Sequence, residues 1–148
     1  MPPAPLAGRH ALVTGAGRGI GAAIAVRLAA EGARVTLLAR TREEIHALAA
    51  RLGEAAQAVP ADVTDGEETR RAFERAAEFF GPVDILINNA GQARSGPLHK
   101  APDELWHAML AVNLTGTYHG IRASSTSRAP RGSAAIPMWR RIAQPSTA

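Results

Sequence analysis

At 148 residues and 46% apolar composition the chain is long enough for one compact domain with a real core, while its start MPPAPLAGRH is no secretory signal and no later stretch approaches the ~20 apolar residues of a membrane span. It has no cysteine, which excludes a disulfide framework, a thiolate nucleophile and a Cys-based zinc site and fits a cytoplasmic setting. The net charge of +4 sits in the tail, where Arg128, Arg131, Arg140 and Arg141 have no acid beside them; residues 1–123 are balanced and show no basic nucleic-acid groove.

His10–Thr14 reads as a short buried strand, and Gly19–Ala30 as a helix with Ile20, Ala23, Ile24 and Leu28 on one face, closed by Gly32. Arg34–Ala39 is a second strand. Thr41 and Glu44 have capping-box spacing ahead of Ile45, Leu48, Ala49 and Leu52, and Gly53 stops that helix. Ala56–Pro60 is a weak third strand; Thr64 with Glu67 makes a second capping box before Ala72, Phe73, Ala76 and Phe80, and Gly81-Pro82 ends it. Val83–Ile87 is the fourth strand, after which Pro102, Asp103 and Glu104 open a helix carrying Leu105, Met109 and Val112. Repeated strand–helix units bury both strand faces only with helices on each side, so the predicted class is α/β, a doubly wound parallel sheet with right-handed crossovers. At about Ala123 the periodicity fails: residues 124–148, rich in Ser, Ala, Arg and Pro, read as a basic disordered tail, the alternative being a short helix near 136–142 that Pro137 disfavours.

Between the first strand and first helix lies Thr14-Gly-Ala-Gly-Arg-Gly-Ile-Gly21. In a phosphate-binding turn Gly15 lets the chain turn sharply, Gly19 lets backbone approach a pyrophosphate, and Gly21 lets helix pack on strand, while the helix N-terminus supplies N–H groups and positive potential. An ordinary tight turn is the alternative. Asn88 and Asn89 follow an apolar strand, where successive amides are poor strand formers and need partners if buried.

Four motifs in order, T-G-x-x-x-G-x-G at the first turn, Asp62-Val63 after the third strand, Asn88-Asn-Ala-Gly91 after the fourth and Val112-Asn113 in the next helix, resemble the short-chain dehydrogenase/reductase family over about residues 8–122. The resemblance implies a Rossmann-type dinucleotide-binding region at 1–123, with cofactor contacts from Gly15, Arg18, Gly19, Ile20 and Gly21. It further implies that Asp62 accepts from the adenine amino group beside Val63, that Asn88 ties neighbouring strands together, and that Asn89, Ala90 and Gly91 line the ribose and approach the nicotinamide half. A helix N-terminal role for Asp62 and a plain polar loop at Asn88-Asn89 are the alternatives.

NAD-binding versions of this fold place an acid at the end of the second strand, on the ribose 2′-hydroxyl, whereas NADP-binding versions place an Arg near the 2′-phosphate. Ala39 stands in the acid's place, followed by Arg40, with Arg18 a second cation; the expected cofactor is NADP(H) over NAD(H). The alternative is that Arg40 and Arg42 belong to a solvated helix start beside Glu43 and Glu44.

The resemblance implies hydride transfer between a carbonyl or alcohol substrate and the nicotinamide, with a Tyr-x-x-x-Lys pair as acid/base and an Asn holding a relay water. Asn113 matches that Asn; a capping or core amide is the alternative. The Tyr-x-x-x-Lys pair is absent, for Tyr118 is the sole Tyr and its fourth successor is Arg122, whose geometry and permanent charge differ from those of Lys. His10, His46, His99, His107 and His119 have no metal-ligand spacing. The expectation is a family chain truncated or frame-shifted after about four strands and inactive alone, with a non-catalytic NADP(H)-binding or protein-interaction module as the alternative. In the strand order 3-2-1-4 the apolar fourth strand becomes an edge, which predicts marginal stability and self-association.

Overall fold

A computed structural model describes residues 3–127; most of the expected tail, 128–148, lies outside the described residues. Four strands, β1 (His10–Thr14), β2 (Arg34–Ala39), β3 (Ala56–Pro60) and β4 (Ile85–Ile87), form one parallel sheet in the order β3-β2-β1-β4. Val13 stands beside Leu37 on one side and Ile87 on the other, and this register carries the sheet's two faces in alternation.

Helices α1 (Gly19–Ala30) and α2 (Arg42–Leu52) cover one face, burying Ala25, Ile45 and Leu48 against Val13, Val35 and Leu37. Helix α3 (Gly66–Phe80) covers the other, with Ala72, Phe73 and Ala76 against Leu12, Leu38 and Val59. The doubly wound Rossmann-type α/β architecture is the one the strand–helix alternation predicts.

The buried stripe of α1 differs from the expected one. Gly21 and Ala25 face the sheet, Ile24 and Leu28 are half-buried, and Ala23 and Ile20 point outward, Ile20 being 75% exposed. Small residues let helix and sheet approach closely, so size decided the face.

Neither expected capping box forms. Thr41 is the N-cap of α2 but makes no side-chain cap, and at α3 the cap is Asp65, accepting from the Glu67 and Glu68 N–H groups at 2.9 and 2.8 Å. Thr64 instead bonds back to Asp62 Oδ1.

The fourth strand is shorter than Val83–Ile87. At its start the Asp84 carboxylate accepts from His10 N–H at 2.9 Å, while Asp84 N–H donates to His10 O at 2.8 Å, so a side chain replaces part of the ladder. Beyond it, α4 (Asp103–Leu110), a π-helical turn (Ala111–Thr115) and α5 (Gly116–Ser127) follow one another without a break. Helix therefore runs past Ala123. In its last turn the hydroxyls of Ser124, Ser125, Thr126 and Ser127 bond carbonyls three residues back, so these residues, whose composition reads as tail, are accommodated in the helix.

Candidate dinucleotide site

The sheet reverses its direction of winding at β1, whose neighbours β2 and β4 lead away to opposite sides. Crevices beyond the carboxyl ends of strands at such a point are where ligands bind open α/β sheets. A cavity of about 400 Å³ opens there.

Its first wall is the glycine turn. Gly15 has φ +62°, and a Cβ there would stand 2.9 Å from Ala90 Cα; Gly19 has φ +57° and nothing within 4 Å of where a Cβ would lie. Gly15, Arg18, Gly19 and Ile20 line the cavity. Gly21 does not, because it is buried against Gly15 O and the Asn89 amide at the helix–strand contact.

The N-terminus of α1 is electrostatically open. Its N-cap, Arg18, makes no side-chain cap and its first turn has no acid, whereas α2 carries Glu43 and Glu44 in its first turn and α3 is capped by Asp65 with Glu67 and Glu68 following. The first N–H groups of a helix have no intrahelical acceptors and carry the positive end of its dipole, so α1 alone of the three offers that end to an outside anion. The exposed guanidinium of Arg18 has no ion-pair partner among the described residues.

The second wall comes from β2 and β3. Ala39 and Arg40 line it with Asp62 and Val63. Asp62 Oδ1 accepts from Thr64 N–H at 2.9 Å and from its hydroxyl at 2.8 Å, leaving Oδ2 on the side of Arg40, 4.0 Å from Nη1. With Arg40 69% exposed this ion pair is weak, and the guanidinium is free to turn to another partner. Val63 is held from behind, its carbonyl accepting from His119 Nδ1 at 2.8 Å and its side chain packed on Gly116 of α5.

Asn89, Ala90 and Gly91 form the floor. Here Asn89 keeps its expected place and also takes the tying role expected of Asn88. Asn89, not Asn88, ties β4 to β1: its Nδ2 donates to Thr14 O and Gly15 O, both at 3.1 Å, while Asn89 and Ala90 N–H groups converge on Thr14 Oγ1 at 3.1 and 2.9 Å. Asn88 is exposed and its Oδ1 lies against Gly120 of α5. Alternation past a strand's end depends on how the backbone turns, which residue spacing does not reveal.

Ten of the eleven residues expected at a cofactor are thus brought to one cavity. Sequence reading missed Leu38, Thr41, Glu44, Ala61 and Val112 of its lining. Glu44 was legible as a neighbour of Thr41 on one helical face, but capping-box spacing directed it to the wrong partner.

The family model for short chain dehydrogenase matches residues 9–136. The chain belongs to the short-chain dehydrogenase family. Among relatives of this short-chain dehydrogenase chain, the D-threitol dehydrogenase of Mycolicibacterium smegmatis is 40% identical over 134 residues, 88% of this chain and 52% of the relative. The 3-oxoacyl-(acyl-carrier-protein) reductase FabG of Haemophilus influenzae is 40% identical over 116 residues, 78% of this chain and 48% of the relative. A solved short-chain dehydrogenase/reductase of Brucella melitensis superposes with a TM-score of 0.79 at 31% identity, covering 82% of this chain and 52% of that one. One from Serratia marcescens gives 0.78 at 35%, covering 83% and 52%. The chain spans about half the length of these relatives.

Asn113 lies outside the cavity lining of this short-chain dehydrogenase chain, in the π-helical turn, and its amide is engaged with Gln92. Tyr118 is 54% exposed on α5, with Arg122 Nη1 donating to its hydroxyl at 3.3 Å, and neither lines the cavity. No helix among the described residues is long and apolar enough to cross a membrane.

Proposed function

We propose that the chain binds a nicotinamide dinucleotide in this cavity, with the pyrophosphate on the N-terminus of α1, and that it prefers NADP(H). The observation that carries the reading is the open end of α1, uncapped and without acids, facing the same cavity as Arg18 and Arg40. Glycine supports it chemically: at Gly19 a ligand can approach bare backbone. A cavity of about 400 Å³ lies within the usual range for small-molecule sites, roughly 300–1,000 Å³. Arg40 is flexible enough to leave Asp62 for a 2′-phosphate, and Ala39 offers no carboxylate to oppose it.

The reaction class proposed is interconversion of a carbonyl and an alcohol, as the names reductase and dehydrogenase borne by the relatives suggest. When bound, the nicotinamide supplies the hydride donor or acceptor. The chain's own part is to hold the adenosine half through Asp62, Val63 and Arg40 and to set the floor through Asn89 and Thr14. With no Tyr-x-x-x-Lys pair in the 148 residues, this chain by itself is expected to bind without turnover.

Calorimetric titration with NADPH and NADH, on the wild type and on Arg40→Ala, tests the proposal. The expected result is tighter NADPH binding and a ratio reduced by Arg40→Ala roughly three- to tenfold, the scale of an exposed charge pair or a little more. Equal affinities, or a ratio unmoved by the substitution, would remove the NADP(H) assignment; no binding of either would remove the dinucleotide reading.

A different observation supports self-association. Among the described residues β4 is an edge strand whose Ile85, Leu86 and Ile87 are only partly covered, and α4 to α5 expose Trp106, Leu110, Leu114, Tyr118 and Ile121 at helical spacing. Open apolar edges and stripes of this kind pair with other chains.

A further inference from the structure

Glu44 is an acid of the cavity wall, favoured where it stands by the dipole of α2 but with no side-chain partner among the described residues. It stands in the first turn of α2, half-buried, and its carboxylate makes no hydrogen bond or ion pair among the described residues. The side chain lies over the glycine turn: a Cβ on Gly17 would come within 2.5 Å of Glu44 Oε2 and 3.0 Å of its Cβ. A side chain on Gly17 would therefore meet Glu44 where it now lies. Arg40 leans instead toward Asp62, at 4.0 Å, and no cation of the wall pairs with Glu44 among the described residues.

The position matters because the end of β2, opposite the glycine turn, is where a dinucleotide of this fold presents its adenosine ribose. Ala39 supplies no acid there, yet Thr41, Arg40 and Glu44 share the same wall. A carboxylate accepts hydrogen bonds only, so it suits a ribose hydroxyl and opposes a phosphate dianion.

Resting on the dinucleotide reading above, we propose that Glu44 is a specificity-determining residue: it accepts a hydrogen bond from the 2′-hydroxyl of NAD(H) and repels the 2′-phosphate of NADP(H). Arg18 and Arg40 attract the phosphate and Glu44 limits the preference they create. The acid that this fold places at the end of β2 is supplied instead from one turn inside α2.

The test compares binding of adenosine 2′,5′-bisphosphate with adenosine 5′-phosphate, and of NADPH with NADH, by calorimetry on wild type, Glu44→Gln and Glu44→Asp. Glu44→Gln keeps the shape packed on Gly17 and removes the charge; it is expected to raise the preference for the 2′-phosphorylated member of each pair roughly three- to tenfold. The gain is expected to shrink as salt is raised, as a charge effect must. Glu44→Asp keeps the charge and should stay closer to wild type. A ratio unchanged in Glu44→Gln, or both ligands shifted equally, overturns the role of Glu44 while leaving the dinucleotide reading intact. Failure of the wild type to bind any of the four overturns both.

Discussion

Asn113 holds the backbone of Gln92 at both of its polar groups: Gln92 N–H donates to Asn113 Oδ1 at 3.0 Å, and Asn113 Nδ2 donates to Gln92 O at 2.8 Å. Its own carbonyl accepts from Thr117 Oγ1 at 2.9 Å. The amide thus clamps the segment after β4 to the π-helical turn, and Gly91 has no Cβ where Asn113 Oδ1 passes, 2.8 Å away. Asn113→Ala should release Gln92 and loosen the cavity floor, with a stability loss of about 1–2 kcal/mol for two solvent-accessible hydrogen bonds. Hydrogen exchange at the Gln92 amide checks it; protection equal to wild type would disprove the clamp.

Gly19 and Gly21 should respond differently to alanine. At Gly21 a methyl group would collide with Gly15 O and the Asn89 amide, so Gly21→Ala should push α1 off the sheet and destabilise by roughly 1–3 kcal/mol or more. At Gly19 the space is open and only φ +57° opposes a side chain, a penalty of roughly 1–2 kcal/mol that Asn lessens. Urea denaturation of Gly21→Ala, Gly19→Ala and Gly19→Asn is expected to rank them in that order of damage. A Gly21→Ala variant as stable as Gly19→Asn would refute the packing account.

Acid should weaken the fold through His10. Its ring is buried in β1, with Nδ1 against Gly81 O at 2.7 Å, which places the neutral proton on Nδ1; Nε2 then accepts from Thr36 Oγ1 at 2.8 Å, and that oxygen accepts from Gln57 Nε2 at 2.8 Å. Burial lowers the His10 pKa from its ordinary 6.5, opposed by the Gly81 carbonyl and the Asp84 charge and assisted by Arg34. A second ring proton would turn Nε2 into a donor and leave the buried Thr36 hydroxyl proton without its acceptor. With the folded pKa below the unfolded one, the unfolded state binds more protons, so this stability is complete above about 6.5 and is lost as pH falls from there to the folded pKa. The slope cannot exceed the one-proton limit of about 1.4 kcal/mol per pH unit. Denaturation at pH 7.5 and 5.5 should show a shallower dependence in His10→Gln, whatever its absolute stability; an identical slope would rule His10 out.

Self-association should centre on the open side of the sheet. Light scattering with size exclusion is expected to show mass rising with concentration, and Ile85→Lys, which places a charge on the edge strand, should reduce it. A monomer that melts cooperatively at every concentration would contradict both the edge argument and the expected marginal stability.

Element order, the parallel sheet and the site of the glycine turn were legible because they rest on local signals: runs of apolar residues, helical spacing, and glycines where φ turns positive at Gly15 and Gly19. Most of the residues that make the cavity were legible for the same reason, standing in or beside the turns that follow the strands, whereas Leu38, Thr41, Glu44, Ala61 and Val112 were not. Partners across the fold were not. Whether Thr64 or Asp65 caps α3 is a choice between adjacent capping residues, decided by where Thr64 can also reach Asp62.

The sequence by itself determined the alternation that requires a doubly wound sheet and the glycine-rich entry to α1, which carries Arg18 and no acid. Only the tertiary structure decided that Asn89 rather than Asn88 reaches Thr14, that Asn113 closes on Gln92, that His10 completes a polar chain across three strands, and that Glu44 enters the cavity. Periodicity specifies the face a side chain shares with its own element's neighbours; which residue from another element meets it depends on how far helix and sheet approach, and that distance was set by Gly21, Ala25, Gly17 and Gly116, whose missing or small side chains carry no directional signal in the sequence.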